Sequence, residues 1–444
     1  MRTIKKFSYL IAGLACLGSI TAAQTAVDPG VRTGTPQAGG AVGGMTTNQQ
    51  KTFSGARSVF VEVNNTVGSP VGLGPGFSSD SCVSCHSQPA NGGSSPASNP
   101  LFNVYQLNGA TNTMPSFITS NSPVVNARSP FLADGITPDG RVQQLFVITG
   151  RTDAPAGCNA TQPNFASEQA ANNLIFRQTT PLFGDGLIEI IQNADILSSF
   201  AATSTSRAAK GIGGRPSIAD DGSISRFGWK AQHRSLILFS GDAYNTEEGI
   251  TNELSPNEIN STGGCATNPL PEDHTLFSAT FPAHAFDGDP EDLANFMRFL
   301  AAPPKGTATT STKNGQTQFN KIGCVLCHTT SFKTPTADVT ALSNITVALF
   351  SDLMVHHMGP CLADNIVQGN VQGDEFRTAP LWGVSQRVFF MHDGRTTNIV
   401  QAVEDHFCAA NSVYPASEAN AVVNAFNALT STNQQDLINF LRVL

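Results

Sequence analysis

The chain has 444 residues, 40% of them hydrophobic, enough for two or three domains with cores of their own and too many for a disulfide-held miniprotein. Charged residues make up only 13%, against about 25% in ordinary soluble domains, and uncharged polar residues and Gly fill the deficit, as on an exported bacterial surface. With 25 Lys and Arg against 33 Asp and Glu, neither nucleic acid nor an anionic membrane is expected as a partner.

In chain order the first element is a targeting signal. Arg2, Lys5 and Lys6 precede an apolar run from Phe7 to Ile20, and Thr21, Ala22 and Ala23 supply small residues for cleavage, so residues 1–23 read as a signal peptide. The run is too short to span a bilayer and no later one is longer, which predicts a periplasmic or secreted protein without a transmembrane segment. Residues 24–50, rich in Gly, Thr, Ala and Pro and without apolar periodicity, read as a flexible tail, with order starting near Phe53.

Two phrases then organise the chain: Cys82-Val-Ser-Cys85-His86 and Cys324-Val-Leu-Cys327-His328. Both are C-x-x-C-H, the pattern of c-type haem attachment, in which two thiols add to the haem vinyls and the next His binds iron. One helical turn brings both sulfurs to the porphyrin edge, and the following residue turns its imidazole under the metal. A zinc site needs two further ligands for each phrase, and a free dithiol would oxidise in an exported chain. The reading is therefore two covalently bound haem c groups. A second repeat supports it: Asp292-Leu-Ala-Asn-Phe-Met-Arg-Phe-Leu300 and Asp436-Leu-Ile-Asn-Phe-Leu-Arg-Val-Leu444 agree at six of nine positions, both with helical apolar spacing. One module thus occurs twice, over residues 51–305 and 306–444, and the first copy is the longer.

Further phrases carry a resemblance. Gly72-Leu-Gly-Pro-Gly-Phe77, Arg226-Phe-Gly-Trp-Lys-Ala231, Phe350-Ser-Asp-Leu-Met354, His357-Met-Gly-Pro360, Gly373-Asp-Glu-Phe-Arg-Thr-Ala-Pro-Leu-Trp382 and His392-Asp-Gly-Arg395 resemble the peroxidase-like dihaem oxidoreductase family, also labelled thiol oxidoreductases. That family is similar to bacterial dihaem cytochrome c peroxidases and methylamine-utilisation dihaem enzymes, and the resemblance covers about residues 50–444. It implies a mostly α fold of two cytochrome c-like domains, the first enlarged by an insertion of loops and short elements. One haem would serve peroxide chemistry and the other electron transfer.

The same resemblance ranks the site residues. Counting along from His392 of the HDG phrase reaches His406, at the family's distal-ligand position, so His328 and His406 become the axial pair of the second haem. Two imidazoles saturate an iron and suit an electron relay. His86 ligates the first haem, which lacks a convincing sixth ligand and so leaves a face for hydrogen peroxide. Trp229 matches the tryptophan between the haems, and Glu247 or Glu248 the distal carboxylate that moves a proton between the peroxide oxygens. The Asn-Thr-Glu-Glu-Gly phrasing departs from the family's and leaves the choice of glutamate open. Tyr244 has the spacing of a distal-pocket aromatic in rubber-cleaving dihaem oxygenases, which supplies the rival expectation of dioxygen and an apolar substrate. A third reading is a non-enzymatic electron carrier. His392 is placed near the second haem, bonded to a propionate or backbone, and Arg377 beside a propionate. The donor is expected to be a small cytochrome c or cupredoxin. Calcium between the domains is compatible with the resemblance, although no ligand set stands out.

His356, His357, Met354 and Met358 cluster in sequence, but neighbours on a strand point in different directions, so packing is the expected role, the alternative being that one of them touches the second haem or an ion between the domains. His233, His274 and His284 are expected on the surface or in packing. Of the nine cysteines, Cys16 leaves with the signal and four hold haem, so Cys158, Cys265, Cys361 and Cys408 remain. Cys158 with Cys265 and Cys361 with Cys408 is the expected pairing, one staple for each half.

Overall fold

The computed structural model describes residues 26–67, 71–260, 264–265, 270–274 and 288–444. The expected signal peptide and His284 lie outside the described residues.

The repeated phrase forms a closing helix in each half, Asp289–Phe299 and Ser431–Leu441. Each packs against a leading helix that precedes the half's C-x-x-C-H turn, Thr47–Val61 in the first and Thr310–Ile322 in the second. Both leading helices start on a Thr capping box, Thr46 with Gln49 and Thr309 with Thr312, which satisfies the first free backbone N–H groups. Aromatic rings then lock the pairs. Phe296 stacks on Phe53 and Phe60 at 5.5 and 4.2 Å, and Phe440 meets Phe319 and Phe350 edge-on at 5.4 and 5.9 Å. Each such ring contributes about 1.5–3 kcal/mol by burial. In the second pair the helices approach so closely that a Cβ at Gly315 would lie 1.9 Å from the Asp436 carbonyl oxygen, so only glycine fits.

Strands are short. Val125–Arg128 pairs antiparallel with Val142–Gln143 and with Ile175–Gln178, opposing Ala127 to Phe176, and Val355–His357 pairs with Glu375–Arg377. Among the described residues helix accounts for 31% and extended pairing for 11%, so the expectation of a mostly α fold is corrected. The cause lies in the punctuation: 40 Gly and 26 Pro break the chain into turns, and much of what joins the helices is irregular chain wrapped round cavities. The largest apolar cluster also unites the halves, since Leu349, Leu353, Met354 and Trp382 pack with Phe183, Leu293 and Phe296.

Residues 26–46, expected as part of a flexible tail, are likewise corrected. They lie along the body: Ala41 pairs with Leu300, the Val42 N–H donates to the Phe299 carbonyl at 2.8 Å, and Asp28 forms an ion pair with Arg442 at 2.6 Å. Their order comes from partners far along the chain, which local composition does not reveal. Both expected disulfides form, Cys158 with Cys265 and Cys361 with Cys408. Among the described residues no helix is long and apolar enough to cross a membrane.

Candidate functional site

Each C-x-x-C-H phrase forms a single tight turn, in which the His86 N–H donates to the Cys82 carbonyl at 3.1 Å and the His328 N–H to the Cys324 carbonyl at 2.9 Å. The turns line two cavities of about 140 and 220 Å³ respectively. All four thiols, Cys82, Cys85, Cys324 and Cys327, are free and face these cavities.

The imidazoles share one device. His86 Nδ1 lies 3.1 Å from the Gly93 carbonyl oxygen, and His328 Nδ1 2.9 Å from that of Phe350. A carbonyl only accepts, so Nδ1 carries the hydrogen and the neutral ring keeps its lone pair on Nε2. Burial favours this neutral form, pushing both rings down to about 4. His406 repeats the arrangement in the second cavity: Nδ1 is 2.7 Å from the Ala402 carbonyl and burial lowers its pKa. The helix Ile399–Glu404, started by Asn398, presents that carbonyl one turn below. His356 and Met358 also line the second cavity, but His356 differs, because Glu418 takes its Nδ1 at 2.7 Å and Asp352 its Nε2 at 3.1 Å. His357 points elsewhere, with Nδ1 on Asp374 at 2.9 Å.

Among the described residues, the first cavity has a single imidazole, His86. Its one methionine, Met297, belongs to the closing helix, whose Phe296 stacks on Phe60 beside the His86 ring. Three carboxylates, Asp242, Glu247 and Glu248, also line it. The helix Leu236–Glu248 starts on Ser235, ends on left-handed Gly249 and delivers Tyr244, Glu247 and Glu248 to the cavity. The Gly-Leu-Gly-Pro-Gly loop fits over that end because a Cβ at Gly74 would lie 2.2 Å from the Gly249 carbonyl oxygen. Burial pushes both glutamates up to about 7, against the opposing influence of Arg128 and Asn126 on Glu247 and of Asn64 and Cys82 on Glu248. The two then part company. Asn126 donates to Glu247, whereas Glu248 accepts from Asn64 at 2.7 Å and from the Cys82 thiol at 3.2 Å. Tyr244 turns its hydroxyl to Asp289 at 2.6 Å, and burial raises its pKa.

Trp229 borders both cavities. Its indole N–H donates to the Gln178 carbonyl at 2.7 Å, and its ring meets His392 at 6.3 Å between centroids. His392 stacks on Phe376 at 4.3 Å and is lowered to about 4 by burial, while its own carbonyl accepts from Gln178 N–H at 2.6 Å. Arg377 lines the second cavity and donates from Nε to the Gly228 carbonyl at 3.0 Å.

Residues without a motif complete the site. Asn126 and Arg128 stand on one strand beside Glu247, and the buried Arg128 Nε has no hydrogen-bond partner among the described residues. Arg387 shares the second cavity with Arg377, and burial followed by that like charge lowers it to about 10. Two guanidiniums in one apolar cavity suit the carboxylates of a porphyrin. His233 and His274 sit on Asp242 and Glu253 at 3.0 and 3.6 Å and line neither cavity. Among the described residues no group of three or more His, Cys, Asp or Glu side chains is placed to hold a metal ion.

The chemistry of these donors fits haem: paired thiols one turn apart, a neutral imidazole next to them, and a cavity in front of each turn. The family model described as "Di-haem oxidoreductase, putative peroxidase" matches residues 131–444, a stretch that includes the second C-x-x-C-H phrase and begins after the first. No curated protein matches the chain in sequence. Solved structures with local likeness include a MauG-like protein associated with microbial copper homeostasis, at 14% identity over 35% of this chain and 52% of that one, TM-score 0.25. Hydrazine synthase of Kuenenia stuttgartiensis matches at 19% over 37% and 58%, TM-score 0.23. The dihaem peroxidase BthA of Burkholderia thailandensis E264 matches at 15% over 49% and 65%, TM-score 0.28. The chain spans between about half and two thirds of those structures, and scores this low carry no argument about its fold or chemistry. The family match alone covers well over half of the sequence, and the chain therefore belongs to the di-haem oxidoreductase family, for which haem is the implied cofactor.

Proposed function

We propose that the chain is an exported dihaem c-type oxidoreductase of peroxidase type. The first cavity, with haem c on Cys82, Cys85 and His86, is the site of hydrogen peroxide reduction. The second, with haem c on Cys324, Cys327 and His328, takes electrons from a small donor protein, a cytochrome c or a cupredoxin. The difference between the cavities carries this reading. The second presents His328 and His406, each with its Nδ1 on a backbone carbonyl, whereas among the described residues the first presents His86 as its one imidazole, beside two carboxyls whose pKa values lie near 7.

Haem, when bound, would supply an iron that exchanges electrons and reduces peroxide. The chain's own residues set the rest. His86 would hold the first haem and His328 with His406 the second, each through the Nε2 lone pair that its Nδ1–carbonyl contact leaves free. Glu247 holds the proton that is moved between the peroxide oxygens, because Asn126 and Arg128 orient it within the cavity and burial keeps it near its protonation midpoint at pH 7. Glu248 serves the attachment: its carboxyl lies on Cys82, and thioether formation removes the S–H donor that now satisfies it. Trp229 provides the π path from one cavity to the other, and Arg377 with Arg387 offers charge to the carboxylates of the second haem.

The test is spectroscopic. Protein made with a c-type maturation system should carry two covalent haems, one high-spin and one low-spin by electron paramagnetic resonance, and should consume peroxide. Two low-spin signals would leave an electron carrier instead. Dioxygen uptake with an apolar substrate, and none of peroxide, would move the reading to an oxygenase.

A further inference from the structure

Trp229 is followed by a lysine sealed from solvent. Lys230 is 0% exposed, and its ammonium lies 3.0 Å from Asp364 Oδ1, donates to the carbonyls of Gln372 and Gly373 at 2.7 and 3.0 Å, and sits 4.2 Å from the centre of the Phe376 ring. All three ammonium hydrogens thus meet oxygen, and a π face takes the remaining side. The other oxygen of Asp364 accepts from Arg177 Nε and Nη2 at 2.8 and 2.5 Å. Lys230 and Arg177 come from the first half of the chain and every other member from beyond residue 305. Two buried cations therefore face Asp364 across the junction, and the buried Asp374 adds its charge near Lys230.

The same residues fasten Trp229. Arg177 is followed by Gln178, which accepts the indole N–H and donates its own backbone N–H to His392. Phe376, beneath the ammonium, stacks on His392, and the next residue, Arg377, donates its backbone N–H to the Trp229 carbonyl at 2.8 Å. A buried ion pair alone is a weak source of stability, since apolar residues of equal volume often do as well. What an ion pair supplies here is register between two halves whose aromatic rings must meet.

We propose that Lys230, with Arg177 and Asp364, is a positioning clasp, a tethered cation in an oxygen cage that closes the junction and holds Trp229 against His392 between the two cavities. Burial lowers Lys230 only to about 8, so at neutral pH the cage holds a cation. The clasp itself does not depend on the proposed electron path; its consequence for inter-haem transfer rests on that reading.

The experiment uses full-length, haem-loaded Lys230→Ala. The truncation leaves a space for Cγ, Cδ, Cε and Nζ, which n-propylammonium duplicates atom for atom, while n-propanol matches the volume without the charge. Inter-haem electron transfer is expected to slow by about tenfold or more, since a shift of order 1 Å in a positioned group has effects of this size. Saturating n-propylammonium should recover most of the lost rate and raise Tm by about 2–4 °C, and n-propanol should do neither. An amine that changes neither quantity, or an alcohol that serves as well, overturns the cage. An amine that raises Tm while the transfer rate of Lys230→Ala equals the parent's overturns the positioning role. If Lys230→Ala does not accumulate, Lys230→Met keeps the volume without the charge, and a parental transfer rate in it overturns the proposal. Trp229→Phe separates the two claims: unchanged transfer there sinks the electron path, while the amine response of Lys230→Ala still judges the clasp.

Discussion

In the first half the helix Leu236–Glu248 brings Tyr244, Glu247 and Glu248 to the cavity bordered by His86; in the second the shorter helix Ile399–Glu404 leads into His406. The surroundings of these two elements are alike. Each half has a capped leading helix, a C-x-x-C-H turn with its imidazole on a backbone carbonyl, and a closing helix bound to the leading one through phenylalanines. Repeated parts therefore build the attachment side, and the elements that differ decide what faces it. A carboxyl held near neutrality suits proton movement, and a neutral imidazole suits metal ligation.

The sharpest way to break that comparison is to remove the carboxyl. Glu247→Gln keeps the shape and the Asn126 contact, and peroxide turnover should fall about 10²–10⁴-fold, the range for a lost acid–base group, with both haem spectra unchanged. Glu248→Gln should instead lower the yield of haem attached at Cys82 and leave the turnover per attached haem within about tenfold of the parent. If the two variants exchange these phenotypes, the assignment of the glutamates is wrong. His406→Ala is the matching test in the second cavity. It should abolish the low-spin signal of that haem, and exogenous imidazole should restore it; an unaltered spectrum would show that His406 is not a ligand.

How much of this was legible beforehand follows from where each signal resides. The C-x-x-C-H turns and closing helices are local patterns repeated in the chain, and the disulfide pairing followed from parity and one staple for each half. Strands such as Val142–Gln143 are too short for a period of two to show, and segment 26–46 has no periodicity because its order comes from Leu300 and Arg442. The mostly α expectation came from the family resemblance, and the glycine and proline content already weighed against it. Asn126, Arg128, Gln178 and Arg387 belong to no motif, since their surroundings arise from residues dozens to hundreds of positions away. Nothing in the sequence marked Lys230 for burial, since lysine is among the residues least often sealed from solvent and its partner Asp364 lies 134 positions away.

The two disulfides extend the comparison at smaller effect. Losing either should cost about 2–5 kcal/mol of stability, and the loop of 107 residues closed by Cys158 and Cys265 should cost ~0.7 kcal/mol more than the 47-residue loop of Cys361 and Cys408 on chain entropy alone. Function should rank them the other way. Cys408 is two residues from His406, on a segment held also by Ser417 and Asn420, so Cys361→Ser with Cys408→Ser should raise the high-spin fraction of the second haem. Cys158→Ser with Cys265→Ser should leave that spectrum alone. Urea unfolding and optical spectra of the two double variants check both rankings.

The smallest effect concerns segment 26–46, which touches the end of both closing helices by different means. At the first it pairs backbone to backbone, Ala41 with Leu300, and at the second Asp28 binds Arg442 through both carboxylate oxygens at 2.7 and 2.6 Å. Burial would raise the Asp28 carboxyl, but hydrogen bonds from Arg442, Ile399 and Gly30 outweigh it and hold the folded pKa below the usual value. A lowered carboxyl stabilises the fold above its unfolded pKa, near 4, and the contribution is lost as pH falls through the folded value. Acid should therefore release the second contact and leave the first, which has no titrating group. Because Asp28 is partly solvated, the contribution is only about 1 kcal/mol. Asp28→Asn reproduces the acid state at neutral pH, where hydrogen exchange should quicken around residues 27–32 and stay slow at Val42. Equal protection lost at both ends would mean that the segment detaches as one unit and that the two closing helices are not held independently.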